Sequence, residues 1–187
     1  MPDAAPPLVP AGAAGPFYAL GERRPRVAED AFVAPNAAVI GDVTIGAQSG
    51  VWFACVLRGD TSEIRVGART NLQDGTIVHV NRGMPTLIGD DVTIGHAAII
   101  HACTLLDRAF VGMGATVLDG AVIEEGGVLA AGALLTPGKR IGRFELWQGS
   151  PARLARTMTE TERARFDANA VQYIERAVEF RALLRGL

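Results

Sequence analysis

Aliphatic residues return every six positions through most of this chain. Val33, Val39, Ile45, Val51 and Leu57 set the beat, and Val66, Leu72 and Val78 resume it after a short break. Ile88, Ile94 and Ile100 follow a second break. A five-residue step then leads to Leu105, Val111, Val117, Ile123, Leu129, Leu135 and Ile141. Two positions ahead of many of these lies a small residue: Ala98, Cys103, Ala109, Ala115, Ala121, Gly127 and Ala133. A hexad is too short to be a helical repeat and too regular for a sandwich. It is the signature of a parallel β-helix. Each hexad is one short strand plus a corner, with the aliphatic pointing inward and the small residue fitting the corner. Stacked coils then lie about 4.8 Å apart and share ladder hydrogen bonds. One coil cannot bury its own face, so the stack is stable only as a whole.

Composition agrees with a core of short buried strands. Hydrophobic residues make up 49% of the 187 positions but aromatics only 6%, which leaves Val, Ile, Leu and Ala to fill the interior. The net charge is -2, and no Lys/Arg block is present. A nucleic-acid or anionic-membrane surface is therefore not expected. No stretch approaches the roughly 20 apolar residues of a membrane span. Residues 1–15 are broken by prolines and lack a basic start, so they read as a flexible arm packing near Phe17 and Tyr18, and the expected location is cytoplasmic. The β-helix domain is expected over 16–148. Residues 149–187 then form a linker, opening "GSPARLAR", and a helix. Phe166, Ala170, Ile174 and Ala177 give that helix its inward stripe. Thr159 and Glu162 offer a capping box. The helix is expected to pack back along the stack. Cys55 and Cys103 fall in small-residue slots and read as buried, inert thiols.

The chain has only three histidines, His79, His96 and His101. His79 follows Val78 and His101 follows Ile100, so both occupy the slot just after an inward aliphatic and point outward. They are 22 residues apart: one 18-residue coil plus a four-residue insertion around "NRGMP". The spacing predicts two imidazoles stacked about 5 Å apart on adjacent coils. That suits convergence on one ion with bonds of about 2 Å. His96 lies two after Ile94, on a neighbouring face. Outward side chains on neighbouring faces of a convex prism diverge. As a third ligand, His96 would most simply come from another subunit, and a three-sided prism suggests a trimer. Three ordinary surface histidines are the alternative.

The segments "LRGD" (57–60), "NLQDGTIVHV" (71–80), "IGHAAIIHAC" (94–103) and "VGMGATVLDGAVI" (111–123) resemble those of the γ-class carbonic anhydrase-like family. The resemblance runs from about residue 16 to the end. It implies a mainly β fold, a left-handed parallel β-helix with a C-terminal α-helix, assembled as a homotrimer. It also implies a metal site of His79 and His101 from one subunit and His96 from the next. Gln73 would act in the active site with Asn71 nearby, Arg58 and Asp60 would order the interface and site, and Asp74 matches a further acidic position. Three neutral imidazoles leave an open position for water on a divalent metal. Binding lowers that water's pKa to about 7, giving a hydroxide that attacks CO2 to form bicarbonate. Gln73, able to donate and accept, would orient it. Zn2+ is the expected metal, and Fe2+ or Co2+ also suit such a site. Gln73 capping a corner and Arg58–Asp60 as a structural ion pair remain the plainer alternatives.

One feature departs from the family pattern. Well-characterised carbonic anhydrases of this class carry carboxylates on loops beside the metal to export the proton. Here Thr61 follows Asp60, the loop "VNRGMPT" after His79 has none, and Glu63 is out of register. With all three histidines used as ligands, none remains as a proton shuttle. Other readings are a hexapeptide-repeat acyltransferase using one histidine as base, an acyl-CoA thioesterase, and a non-catalytic metal-binding scaffold trimer.

Overall fold

The hexads coil into a left-handed parallel β-helix of about seven turns with a single C-terminal helix. The structure is a computed structural model and describes residues 6–9 and 16–186. Every aliphatic of the six-residue beat except Val33 is buried, none exposing more than 4% of its surface. The small residues at the corners, Ala98, Cys103, Ala109, Ala115, Ala121 and Ala133, are buried with them. Most corners of the coil hold one residue in the left-handed region, and through the later coils these residues recur every six positions, as at Arg108, Gly114, Gly120 and Gly126. The interval shortens to five between Ala97 and Ala102, which is the five-residue step of the sequence.

The strands stack into three faces. One carries Phe32–Val33, Gly50–Val51, Asn71–Leu72, Thr93–Ile94, Phe110–Val111, Val128–Leu129 and Glu145–Gln148, in parallel register. A second carries the start of Val56–Val66, then Ile77–His79, Ile99–His101, Thr116–Val117 and Leu134–Leu135. The third holds the end of Val56–Val66, Thr86–Ile88, Thr104–Leu105, Val122–Ile123 and Arg140–Ile141. Ala38–Ile45 runs round one corner beside Val56–Val66.

Helix Glu160–Leu183 starts at the expected capping box. Thr159 N–H donates to Glu162 Oε2 at 2.9 Å, and Glu162 N–H donates to Thr159 Oγ1 at 3.3 Å. The helix lies along the first face. Tyr173 and Phe180 meet Trp52 with ring centroids 5.3 and 5.0 Å away, and Phe166 meets Phe110 at 4.8 Å. Ala170 and Ala177 are buried, so their small side chains let the helix sit close to the coils.

The two ends of the stack differ from the sequence expectation. The segment read as a linker from 149 contains a strand, Arg153–Thr157, which turns back antiparallel on Glu145–Gln148. It pairs an edge that would otherwise present unmet backbone groups. At the other end, residues 6–9 of the expected arm lie against the first coil. Leu8 bridges Arg26, and Val9 N–H donates to Pro25 O at 2.9 Å. The rest of that arm lies outside the described residues. Phe17–Tyr18 pairs in parallel with Val39–Ile40. No helix among the described residues is long and apolar enough to cross a membrane.

Candidate metal centre

Strand register sets Arg58 beside His79 and His79 beside His101, one column over three coils. The two imidazole centroids are 5.1 Å apart, and His79 Nδ1 lies 3.1 Å from His101 Nε2. The other ring nitrogens face carboxylates. His79 Nε2 is 3.1 Å from Asp60 Oδ1, and His101 Nδ1 is 2.5 Å from Asp119 Oδ1. Arg58 donates to Asp60, and Asn81 Nδ2 donates to Asp119 Oδ2 at 3.0 Å.

These contacts fix where the protons are. Burial alone would raise the pKa of Asp60, but hydrogen bonds from His79 and Arg58 outweigh it and hold the group below its ordinary value. Asn81, then His101, hold Asp119 below its ordinary value. Both groups are therefore carboxylates at neutral pH. A carboxylate at hydrogen-bond distance requires a proton on the ring nitrogen it faces. His79 thus carries its proton on Nε2 and His101 on Nδ1. With one proton per ring, the nitrogens facing each other at 3.1 Å are both bare lone pairs, which repel unless a further proton or a metal ion joins them. Two ligands about 2.05 Å from a tetrahedral metal are about 3.4 Å apart, close to what is seen. Imidazole nitrogens backed by carboxylates are the donor set of a divalent transition-metal site. The residues present fit the group.

His96 lies elsewhere, at the corner after Thr93–Ile94. Its Nδ1 is 3.0 Å from Asp74 Oδ2, and its Nε2 is 3.5 Å from the Tyr173 hydroxyl. Gln73 shares this side. It is only 5% exposed, and its Nε2 donates to Asn71 Oδ1 at 3.1 Å and Asn169 Oδ1 at 3.4 Å. Asn71 Nδ2 in turn donates to Thr93 Oγ1 at 3.0 Å. A cavity of about 440 Å³ opens between coil and helix here, lined by Gln73, His96, Met113, Asn169 and Tyr173 among others.

The residues expected in one site therefore form two groups in a single chain. Arg58, Asp60, His79 and His101 make one; Asn71, Gln73, Asp74 and His96 make the other. Among the described residues, no three His, Cys, Asp or Glu side chains are grouped so that they could hold a metal within one chain.

Four polar residues at these groups escaped the sequence reading. Asp119 had a signal, since it lies 18 residues after His101, one coil on. Asn81 had none, because the path of the insertion is not periodic. Asn169 and Tyr173 lie three and seven residues after Phe166, on the stripe that faces the coils. Glu63 accepts from Arg65 Nε at 2.8 Å. Burial pushes the Cys55 and Cys103 thiols up to about 12, in keeping with inert cysteines.

No family model matches the chain. A protein of Arabidopsis thaliana named gamma carbonic anhydrase 2, mitochondrial, is 50% identical over 162 residues, covering 83% of this chain and 58% of that protein. The chain spans 58–61% of the length of three such Arabidopsis relatives. A protein of Geobacillus kaustophilus named carbonic anhydrase is 37% identical over 167 residues, covering 89% of this chain and 92% of that one. Among solved structures, a hexapeptide transferase family protein from Anaplasma phagocytophilum is 48% identical with a TM-score of 0.85, covering 88% of this chain and 97% of that chain.

Proposed function

The chain belongs to the γ-class carbonic anhydrase-like family, and from that premise we propose that it hydrates CO2 to bicarbonate at a metal centre shared between copies in a homotrimer. His79 and His101 hold the metal from one subunit and His96 from its neighbour, with Zn2+ the expected ion and Fe2+ or Co2+ also suited. The observation that carries this is the pair of imidazole nitrogens facing each other at 3.1 Å with a carboxylate behind each ring.

A divalent metal held there supplies Lewis acidity, which brings the pKa of a water to about 7. The chain's own groups do the rest. Asp60 and Asp119 keep the ring protons on the outer nitrogens. Gln73 comes to the site with His96, and its amide N–H groups are engaged by Asn71 and Asn169. Its carbonyl oxygen is therefore the atom that accepts from a protonated oxygen and orients it. Asp74 holds His96 through Nδ1, and Arg58 holds Asp60. The loop after His79 holds no carboxylate to take the released proton.

Elemental analysis with a CO2-hydration assay tests this. About one metal per chain is expected, as is activity that chelator removes and that His96→Ala abolishes. Full activity after complete metal removal would contradict it. The solved relative in a hexapeptide transferase family favours acyl transfer as the second reading. Parallel assays of the metal-free protein with acetyl-CoA and an amine acceptor separate the two.

A further inference from the structure

The insertion that breaks the hexad beat after His79 has a defined shape. Asn81 and Met84 pair across a tight turn, their backbones exchanging hydrogen bonds of 3.2 and 2.9 Å. Arg82 N–H donates to Asn81 Oδ1 at 2.8 Å. With its carbonyl oxygen so engaged, the Asn81 amide presents Nδ2 outward, and Nδ2 donates to Asp119 Oδ2 at 3.0 Å. The same loop lays the Met84 methyl over Gly120, next to Asp119. Asp119 sits on the far side of His101 from Asn81: the insertion belongs to the coil of His79, and Asp119 to the coil after His101. The loop therefore reaches across one coil to grip that carboxylate. The other carboxylate oxygen accepts the His101 Nδ1 proton at 2.5 Å. The chain of contacts runs from the insertion, through Asn81 and Asp119, to the tautomer and ring angle of His101.

We infer that Asp119, held by Asn81, is a positioning residue that fixes His101 with Nε2 bare and aimed at His79, and that the insertion supplies the hold. This rests on the reading of the histidine pair as a metal centre. His79 has a different arrangement, with Asp60 tied to Arg58 on its own strand. The two rings are thus set independently. Loss of Asp119 frees His101 to turn or to carry its proton on Nε2, which competes with the metal, while His79 keeps its place.

The test uses the full chain as wild type, Asp119→Ala and Asn81→Ala. Zn2+ affinity is measured by chelator competition, the visible spectrum is recorded after Co2+ loading, and far-UV circular dichroism is recorded without metal. Asp119→Ala is expected to bind Zn2+ roughly 10–100-fold more weakly, with Asn81→Ala changed in the same direction by less. The Co2+ bands of Asp119→Ala should shift while the metal-free fold is unchanged, a pattern that a purely structural role would not give. Wild type that binds Zn2+ while both variants stay within about twofold of it overturns the positioning role and leaves the metal centre standing. Wild type that binds neither ion overturns both. If Asp119→Ala does not fold, Asn81→Ala decides alone: weakened binding supports the hold, and unchanged binding overturns it.

Discussion

Gly59 shows how tightly single residues are constrained where the coils meet. A Cβ added there would sit 2.3 Å from the Asp42 carbonyl oxygen, in backbone that cannot swing away. Gly59→Ala should therefore cost about 1–3 kcal/mol, read as a lower urea midpoint, and should disturb the neighbouring Arg58–Asp60 pair. The "RGD" of the sequence is thus a place of close backbone approach flanked by the ion pair that supports His79. At this scale the sequence carried the two stacked histidines, because the hexad slot fixes both their face and their register. Asp119 offered a signal of the same kind, one coil after His101, but Asn81 did not. Its role depends on how the "NRGMP" insertion folds back, and no period describes that path. Tyr173 and Asn169 depend on how the helix is rotated against the coils, which docking against Trp52 and Phe110 decides.

Among the elements, the C-terminal helix has the most local control over its own start. The Glu162 carboxyl lies below its ordinary pKa, chiefly because the Thr159 backbone N–H donates to it, with help from the Thr159 hydroxyl and Arg156. A depressed folded pKa means that the unfolded chain takes up the proton more readily. The cap's contribution is therefore present above the unfolded value of about 4.3 and is lost as pH falls through the folded value. Glu162→Gln should flatten the fall in melting temperature below about pH 5 relative to wild type. Thr159→Ala, measured at pH 7, should cost about 1 kcal/mol. The capping box and the inward stripe were readable because both are local patterns. The strand Arg153–Thr157 was not, because it forms only to close an edge that the rest of the stack creates.

At the scale of the whole molecule, the prism keeps the two groups of site residues on separate sides of one chain. A convex stack cannot bring His96 to His79 and His101 within itself, because its outward side chains diverge. Assembly offers the route the fold denies, and in the proposed trimer the His96 group of each subunit meets the His79–His101 group of the next. The seven-turn stack suits this use, since a continuous column of buried aliphatic side chains runs through it. The most direct test is the metal content of trimers co-assembled from equal amounts of His79→Ala and His96→Ala chains. Each variant alone should hold almost none. Random mixing leaves both halves intact at about one interface in four, so the mixture should regain about a quarter of the wild-type metal. Mixed trimers that hold no more metal than either variant alone would contradict a centre built from two neighbouring chains.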